Sequence, residues 1–280
     1  MADRLAALLE HFAVTARVFH TGTLCGIHDL PAAAEGAEGA GQLHLVRRGP
    51  LEVRHGGTTA ARIAAPSLLL YPRPFAHRFV SDAQQGADLA CANLHFAGGA
   101  ANPLAAALPA FVCLPLDALP GSAAVLDLLF AEAFAQHCGR VAMLNNLFQI
   151  VLIQVLRTLM ESGQVELGML AGLGDARLRH ALIAMHEQPA RDWHLDELAQ
   201  LAGMSRSVFA NNFRQRVGST PGAYLQRWRV SLAQRALQQG VPLKRVAIEV
   251  GYGSEAALSR AFKACTGASP REWLRETTQP

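Results

Sequence analysis

The 280-residue chain has few cysteines, and they follow no pairing pattern. Cys25, Cys91, Cys113, Cys138 and Cys265 are odd in number and scattered, with no Cys-x-x-Cys among them. That excludes a disulfide-stapled scaffold and fits reduced thiols in a cytoplasmic protein. Long apolar runs are missing too. The most apolar stretch, residues 147–156, is interrupted by Gln149 and Gln154 and closed by Arg157, which is short of the ~20 residues a membrane span needs. An acid stands third in the chain, so no secretory leader is expected. Charged residues make up only 17% against 51% hydrophobic, which excludes a disordered polyelectrolyte. At roughly 100–200 residues per domain, the length gives one large or two ordinary domains with an ample core.

Lysine is absent from residues 1–174, where ten Arg face 13 acids for a net charge of −3. Residues 175–280 hold 15 Lys+Arg against nine acids, a net +6. The split falls at Gly172-Leu173-Gly174, where a leucine-rich segment ends. It points to two domains, the second facing a polyanion, with a merely solvated basic surface as the other reading.

What is present in the first half is strand spacing. Short apolar runs at 16–19, 43–46, 51–53, 67–71 and 89–96 are cut by turns at Gly49-Pro50, Gly56-Gly57 and Pro72-Arg73-Pro74, as in a small barrel or sandwich. The Ala- and Gly-rich tract at 31–41 reads as a loop between two strands. Alternation along 89–96 places Cys91, Asn93 and His95 on one face. His20, Cys25, His28, His44 and His77 lie near other strands. Thiols and imidazoles are the ligands tetrahedral zinc takes, while a buried Cys can equally be a small hydrophobe. Cys113 and Cys138 have no ligand types beside them and read as core filling. From Ser122 to Ser162 the period turns helical, with a stripe wide enough to cover the sheet and still meet a second copy. Packing within one chain is the other reading.

The second half carries the strongest signal. In 193–214, Leu195, Leu198 and Ala199 make an apolar face, Gly203 suits a left-handed turn, Ser205 can cap a second helix, and Phe209 and Phe213 anchor that helix. The pattern returns in 243–263 with Gly251, Ser254, Leu258 and Phe262, the turn glycines standing 48 residues apart. Between them Thr220 can cap a helix that starts at Pro221 and runs to Gln239, about 28 Å long. Such a rod can hold two recognition helices in successive major-groove segments. The residues off the apolar faces are then the DNA readers: Arg206, Ser207, Ala210, Asn211 and Arg214, and Glu255, Ala256, Ser259, Arg260 and Lys263. Asn suits adenine, Arg guanine or phosphate, and Glu cytosine.

With Gly218-Ser219-Thr220-Pro221, Val250-Gly251-Tyr252 and Gly267-Ala268-Ser269-Pro270-Arg271-Glu272-Trp273, residues 178–278 resemble the DNA-binding domain of the AraC/XylS transcriptional regulators. Small Ser207 and Ala210 depart from the larger readers of many members, which shifts base reading toward Asn211 and Arg206. The first half is similar to the cupin-type sensor of one branch of that family, through 68–79, Cys91, Asn102-Pro103-Leu104 and Leu108-Pro109. The resemblance implies an α+β chain. A cupin-like barrel at 1–120 would be followed by a helical dimerisation or linker segment at 121–174 and a DNA-binding domain at 175–280 with two helix-turn-helix units joined by a long helix. It implies a cytoplasmic, homodimeric, sequence-specific regulator, an activator on family grounds, contacting promoter DNA and RNA polymerase. Some members of that branch answer oxidants or hold a metal on Cys and His, which here points to Cys25, His44, His77 and Cys91, with zinc as the metal. The competing reading is a cupin-type metal-dependent enzyme fused to a DNA-binding domain, but no close His-x-His grouping supports catalysis.

Overall fold

A computed structural model of the chain describes residues 3–32 and 39–278. Most of the loop expected over 31–41 therefore lies outside the described residues. The chain divides into two compact units, one of Val14–Ala100 and Leu108–Ser162, the other of Met1–Ala13, Ala101–Ala107 and Gly163–Pro280.

The first unit is built on two antiparallel sheets. Strands β1 (Val14–Leu24), β3 (Gly41–Arg48), β6 (Ser67–Tyr71), β8 (Ala87–Phe96) and β9 (Val112–Pro115) form one, in the order β1-β8-β3-β6-β9. Strands β2 (Ile27–Leu30), β4 (Leu51–His55), β5 (Thr58–Ile63) and β7 (His77–Ser81) form the other, in the order β2-β7-β4-β5. Val46, Leu69, Tyr71, Leu89 and Cys91 from the first sheet meet Leu51, Val53, Ile63 and Phe79 from the second in one buried cluster. The period-2 alternation along β8 sends Cys91 into the cluster between the sheets, but Ala90, Ala92 and Leu94 on the opposite face are buried as well.

Helices α3 (Ala123–Ala133) and α4 (Arg140–Ser162) complete this unit, and α4 packs on β1 and α3. At 23 residues and a mean hydropathy of 1.3, α4 is long and apolar enough to cross a membrane, so the ten-residue run read from sequence underestimates it. Its stripe of Leu144, Leu147, Phe148, Val151, Leu152, Val155 and Leu156 is buried, as the core-facing side of a globular helix should be. Arg140 fastens its start, donating to the Glu132 and Ala133 carbonyls and to Thr21.

The second unit gathers α1 (Ala6–His11), α2 (Pro103–Ala107), α5 (Met169–Gly174), α6 (Leu178–Glu187), α7 (Leu195–Leu201), α8 (Arg206–Val217), α9 (Pro221–Gln238), α10 (Leu243–Glu249), α11 (Glu255–Thr266) and α12 (Pro270–Thr278). These units are drawn differently from the divisions expected at 120 and 174, for two packing reasons. Helix α5 buries Leu170 and Leu173 and packs on α6 and α8. The fit is tight, since a Cβ on Gly172 would stand 2.6 Å from Leu182 and 2.8 Å from Val217. At the chain's other end, Phe12 sits edge-on to Trp228 with ring centres 5.2 Å apart, and α1 packs on α6.

Candidate functional site

The second unit holds two helix pairs of the same kind, α7 with α8 and α10 with α11, and both second helices pack on α9. Each pair turns on a glycine in the left-handed region, Gly203 at φ +59° and Gly251 at φ +84°, where a side chain would be strained. The Ser254 hydroxyl accepts from the Ala257 amide at 3.2 Å and caps α11. Ser205 holds the corresponding position before α8 but makes no capping bond; it is exposed, and water can serve the amides there. Glu197 serves α7 by accepting from the His194 amide at 3.0 Å. Phe209, Phe213, Leu258 and Phe262 are fully buried and anchor the two second helices. Thr220 accepts from the Ala223 amide at 3.3 Å and opens α9, which ends at Gln238, one residue earlier than expected and about 27 Å long.

Of the residues read as DNA contacts, Arg206, Ser207, Asn211, Arg214, Glu255, Ala256, Arg260 and Lys263 are exposed. Ser259 and Ala210 are only partly so. Ala210 lines an apolar cleft with Trp193, Leu195, Leu198 and Leu225, so it offers a methyl group and little reach. Arg206 is held near Asp196 at 3.4 Å, both side chains about two-thirds exposed. Sequence reasoning passed over Val208 and Gln215, exposed on α8 beside Asn211, because one is apolar and the other uncharged.

It also missed Arg229, which lies on α9 and fixes the two helix pairs to each other. The guanidinium donates to the Pro189 carbonyl at 2.6 Å and the Arg191 carbonyl at 2.8 Å, both just before α7. It also reaches the Gly251 carbonyl in the second turn at 3.5 Å and lies over the Tyr252 ring at 5.6 Å. Gly251 itself packs so closely on this loop that a Cβ there would stand 2.6 Å from the Ala190 backbone. No sequence pattern marks an Arg whose partners are carbonyls.

In the first unit, the structure brings two of the four metal or redox candidates together. His77 Nε2 stands 3.1 Å from His44 Nε2, and His77 Nδ1 lies 2.8 Å from the Phe75 carbonyl. A carbonyl only accepts, so the His77 proton sits on Nδ1 and its Nε2 receives the His44 Nε2–H. His44 Nδ1 is then a bare lone pair, and it meets no partner among the described residues. Burial pushes His77 down to about 4 and, with His77 and His20 beside it, holds His44 well below the ordinary imidazole range. Both rings are therefore neutral at physiological pH.

Cys91 is paired in register with His44 and with His20 on the neighbouring strands, but burial pushes its thiol up, which disfavours the thiolate that ligation or oxidation requires. Cys25 is exposed in the turn after β1. Among the described residues no group of three or more His, Cys, Asp or Glu is placed to hold a metal ion, so the donors do not fit a tetrahedral zinc. Cys113 and Cys138, read as core filling, are exposed: Val112 and Leu114 take the buried face of β9 and leave Cys113 on the other, and Cys138 lies in the loop between α3 and α4.

Residues 3–161 match the family described as cupin, and residues 198–276 match a helix-turn-helix domain family. The chain is 38% identical over 178 residues to a protein of Streptomyces lividans named as an AraC-like transcription regulator, covering 62% of this chain and 58% of that one. It is 34% identical over 189 residues to an HTH-type transcriptional regulator of Haemophilus influenzae, covering 67% of this chain and 62% of the relative. An AraC-like regulator of Streptomyces antibioticus is 38% identical over 203 residues, covering 70% of this chain and 67% of its own length. The aligned part thus spans about six tenths of the first two relatives.

Proposed function

Because the chain belongs to the AraC-type family of helix-turn-helix transcription regulators with an amino-terminal cupin domain, we propose that it is a sequence-specific regulator that grips promoter DNA with α8 and α11 in successive major-groove segments. Its cupin unit senses a small molecule and changes that grip. The observation that carries this reading is Arg229, which locks the two helix pairs into one fixed frame. Two independent solvated helices would have no use for such a lock. A rigid frame lowers the ordering cost of placing both recognition helices at once.

Activation through contact with RNA polymerase in the cytoplasm follows from the family and belongs to this proposal. So does a homodimer, for which Leu128 on α3 and Met143 and Ile150 on α4 remain exposed. The protein is not an enzyme: its relatives are regulators.

The test is a footprint on a site selected from random DNA. Two protected segments one helical turn apart are expected, with Asn211→Ala and Arg260→Ala each costing about 1–3 kcal/mol and relaxing one base position in its own segment. Binding to random DNA as tight as to the selected site, at the same salt, would overturn the reading.

A further inference from the structure

The buried anchors fix how the two recognition helices correspond. Phe209 and Phe213 hold α8 as Leu258 and Phe262 hold α11, and all four are fully buried. In that alignment Val208, Asn211 and Gln215 of α8 stand where Ala257, Arg260 and Ala264 stand on α11, and Arg214 stands where Lys263 does. Residues three and four apart share one face of a helix, so each set of three forms a stripe, turned away from its anchors. Val208, Asn211 and Gln215 are all exposed, Val208 to 45%. Asn212, beside them, is drawn back: it is half-buried and its amide donates to Met204 Sδ at 3.8 Å.

What the helices share and where they differ separates two jobs. The cation common to both, Arg214 or Lys263, suits phosphates, which carry no sequence information. The stripes differ at all three positions. An Asn or Gln amide pairs bidentately with adenine, and an apolar side chain meets the methyl group that thymine alone carries. Every member of the α8 stripe is therefore of the kind that reads A·T pairs. Valine is also a poorer helix former than the alanine at the matching position of α11, and water offers its methyl groups nothing in return. On α11 the stripe has one long side chain, Arg260, between two alanines, and Arg is the usual reader of guanine. Glu255, exposed at the start of α11, suits the cytosine of the same pair type, whereas its counterpart Arg206 is held near Asp196.

We propose that the two helices read DNA segments of different base composition, α8 an A·T run through Asn211, Gln215 and Val208, and α11 a G·C pair through Arg260. The inference rests on the docking of α8 and α11 proposed above and adds the base class each one reads, with Val208 and Gln215 as specificity-determining residues. From Val208 to Gln215 the α8 stripe extends about 10 Å along the helix axis, against about 3.4 Å per base pair, so it faces three to four pairs. Because the segments differ, the site has a direction, and the protein sits on it only one way round.

The experiment is selection of sites from random DNA by the full-length protein at one salt concentration, followed by affinity measurement on the selected site. The enriched site is expected to carry about four successive base pairs that are nearly all A·T, one helical turn from a segment centred on G·C. The A·T segment is the one in which Asn211→Ala relaxes a base. Gln215→Ala should lose about tenfold or more of the discrimination at a second position of that segment. Replacing its thymines by deoxyuridine removes only the methyl groups, and should weaken the wild type about threefold or more while leaving Val208→Ala nearly unchanged. Val208→Ala, Asn211→Arg and Gln215→Ala together give α8 the stripe of α11, and selection with that variant should return G·C where A·T stood. Two segments of the same composition, no effect of deoxyuridine on the wild type, or a triple variant that keeps the wild-type preference would each overturn the proposal. In those outcomes the two-segment footprint still stands, whereas loss of all preference over random DNA would overturn the docking and this assignment with it.

Discussion

Arg229 on the connecting helix donates to the carbonyl of Pro189 at 2.6 Å, a bond that reaches back across 40 residues to the loop in front of the first recognition pair. Burial lowers the guanidinium's affinity for its proton, but the group stays charged far above neutral pH. Its bonds are charge-assisted, the class worth about 1.5–3 kcal/mol. Arg229→Met should keep each helix pair folded while loosening the angle between them. The expected result is a loss of about tenfold or more on a two-segment site, with little change on a site carrying only one segment. Equal losses on both would show that Arg229 acts on the stability of one pair alone.

The two turn glycines should differ when replaced. Gly203 has open space where a Cβ would go, so Gly203→Ala carries only the left-handed backbone penalty, about 1 kcal/mol. At Gly251 the same methyl would press on the Ala190 backbone at 2.6 Å, and backbone cannot step aside cheaply. Gly251→Ala should therefore cost about 3 kcal/mol or more in urea unfolding, well beyond Gly203→Ala. Indistinguishable midpoints for the two variants would contradict the close packing of the second turn on the loop before α7.

A fragment cut at residue 175 should fail where one cut at 163 does better. The shorter piece lacks α5, whose Leu170 and Leu173 are fully buried, and leaves Leu182 and Val217 facing water in their place. Each lost leucine in such a setting is worth about 2–5 kcal/mol, comparable to the whole stability of a small domain. Cooperative thermal unfolding is expected for 163–280 and not for 175–280. A sharp transition in the shorter fragment would place the true edge of the unit at the glycine-rich stretch.

The buried imidazole pair makes the first unit sensitive to acid. A His held at about 4 in the fold but near 6.5 when unfolded gives the unfolded chain more protons between those values. Its contribution is complete above pH 6.5 and declines as pH falls toward 4. For His77 alone that amounts to a loss of about 2 kcal/mol between pH 7.5 and pH 5, and His44 adds to it in the same direction. Urea midpoints at the two pH values measure this, and His77→Leu should flatten the difference. A wild-type stability that is flat or rises toward pH 5 would mean the rings are not buried neutral.

Zinc analysis tests the donor count. With two imidazoles converging and Cys91 held as a thiol, the protein purified reduced and without chelator should carry well below one zinc per chain. One zinc per chain, lost in Cys91→Ala, would require a rearrangement of the sheet interior.

How much of this was legible in the sequence follows from how far apart the interacting residues lie. The helix-turn-helix pairs could be read because each is local: a glycine, a serine before the second helix and two large apolar anchors within about twenty residues. Strands β3, β4, β6 and β8 announced themselves by apolar runs, whereas β2 (Ile-His-Asp-Leu) and β5 (Thr-Thr-Ala-Ala-Arg-Ile) are edge strands with largely exposed side chains and little apolar signal. Among the candidate site residues, His44 and His77 were named but not their pairing, which joins strands of two different sheets. Arg229 could not be found at all, because its meaning lies in backbone carbonyls that no residue type encodes.

The placement of α1 sets an order on how the molecule can be made. Phe12 leaves the ribosome 216 residues before the Trp228 it packs against. The sheets of the first unit are complete long before that partner exists, so the sensor can fold while the first helix waits with its apolar side chains uncovered. Contacts of such high sequence separation close late and slowly. Supplying the two halves as separate polypeptides would sever this arrangement, since the sensor is, by connectivity, an insertion within the DNA-binding unit rather than a bead strung ahead of it.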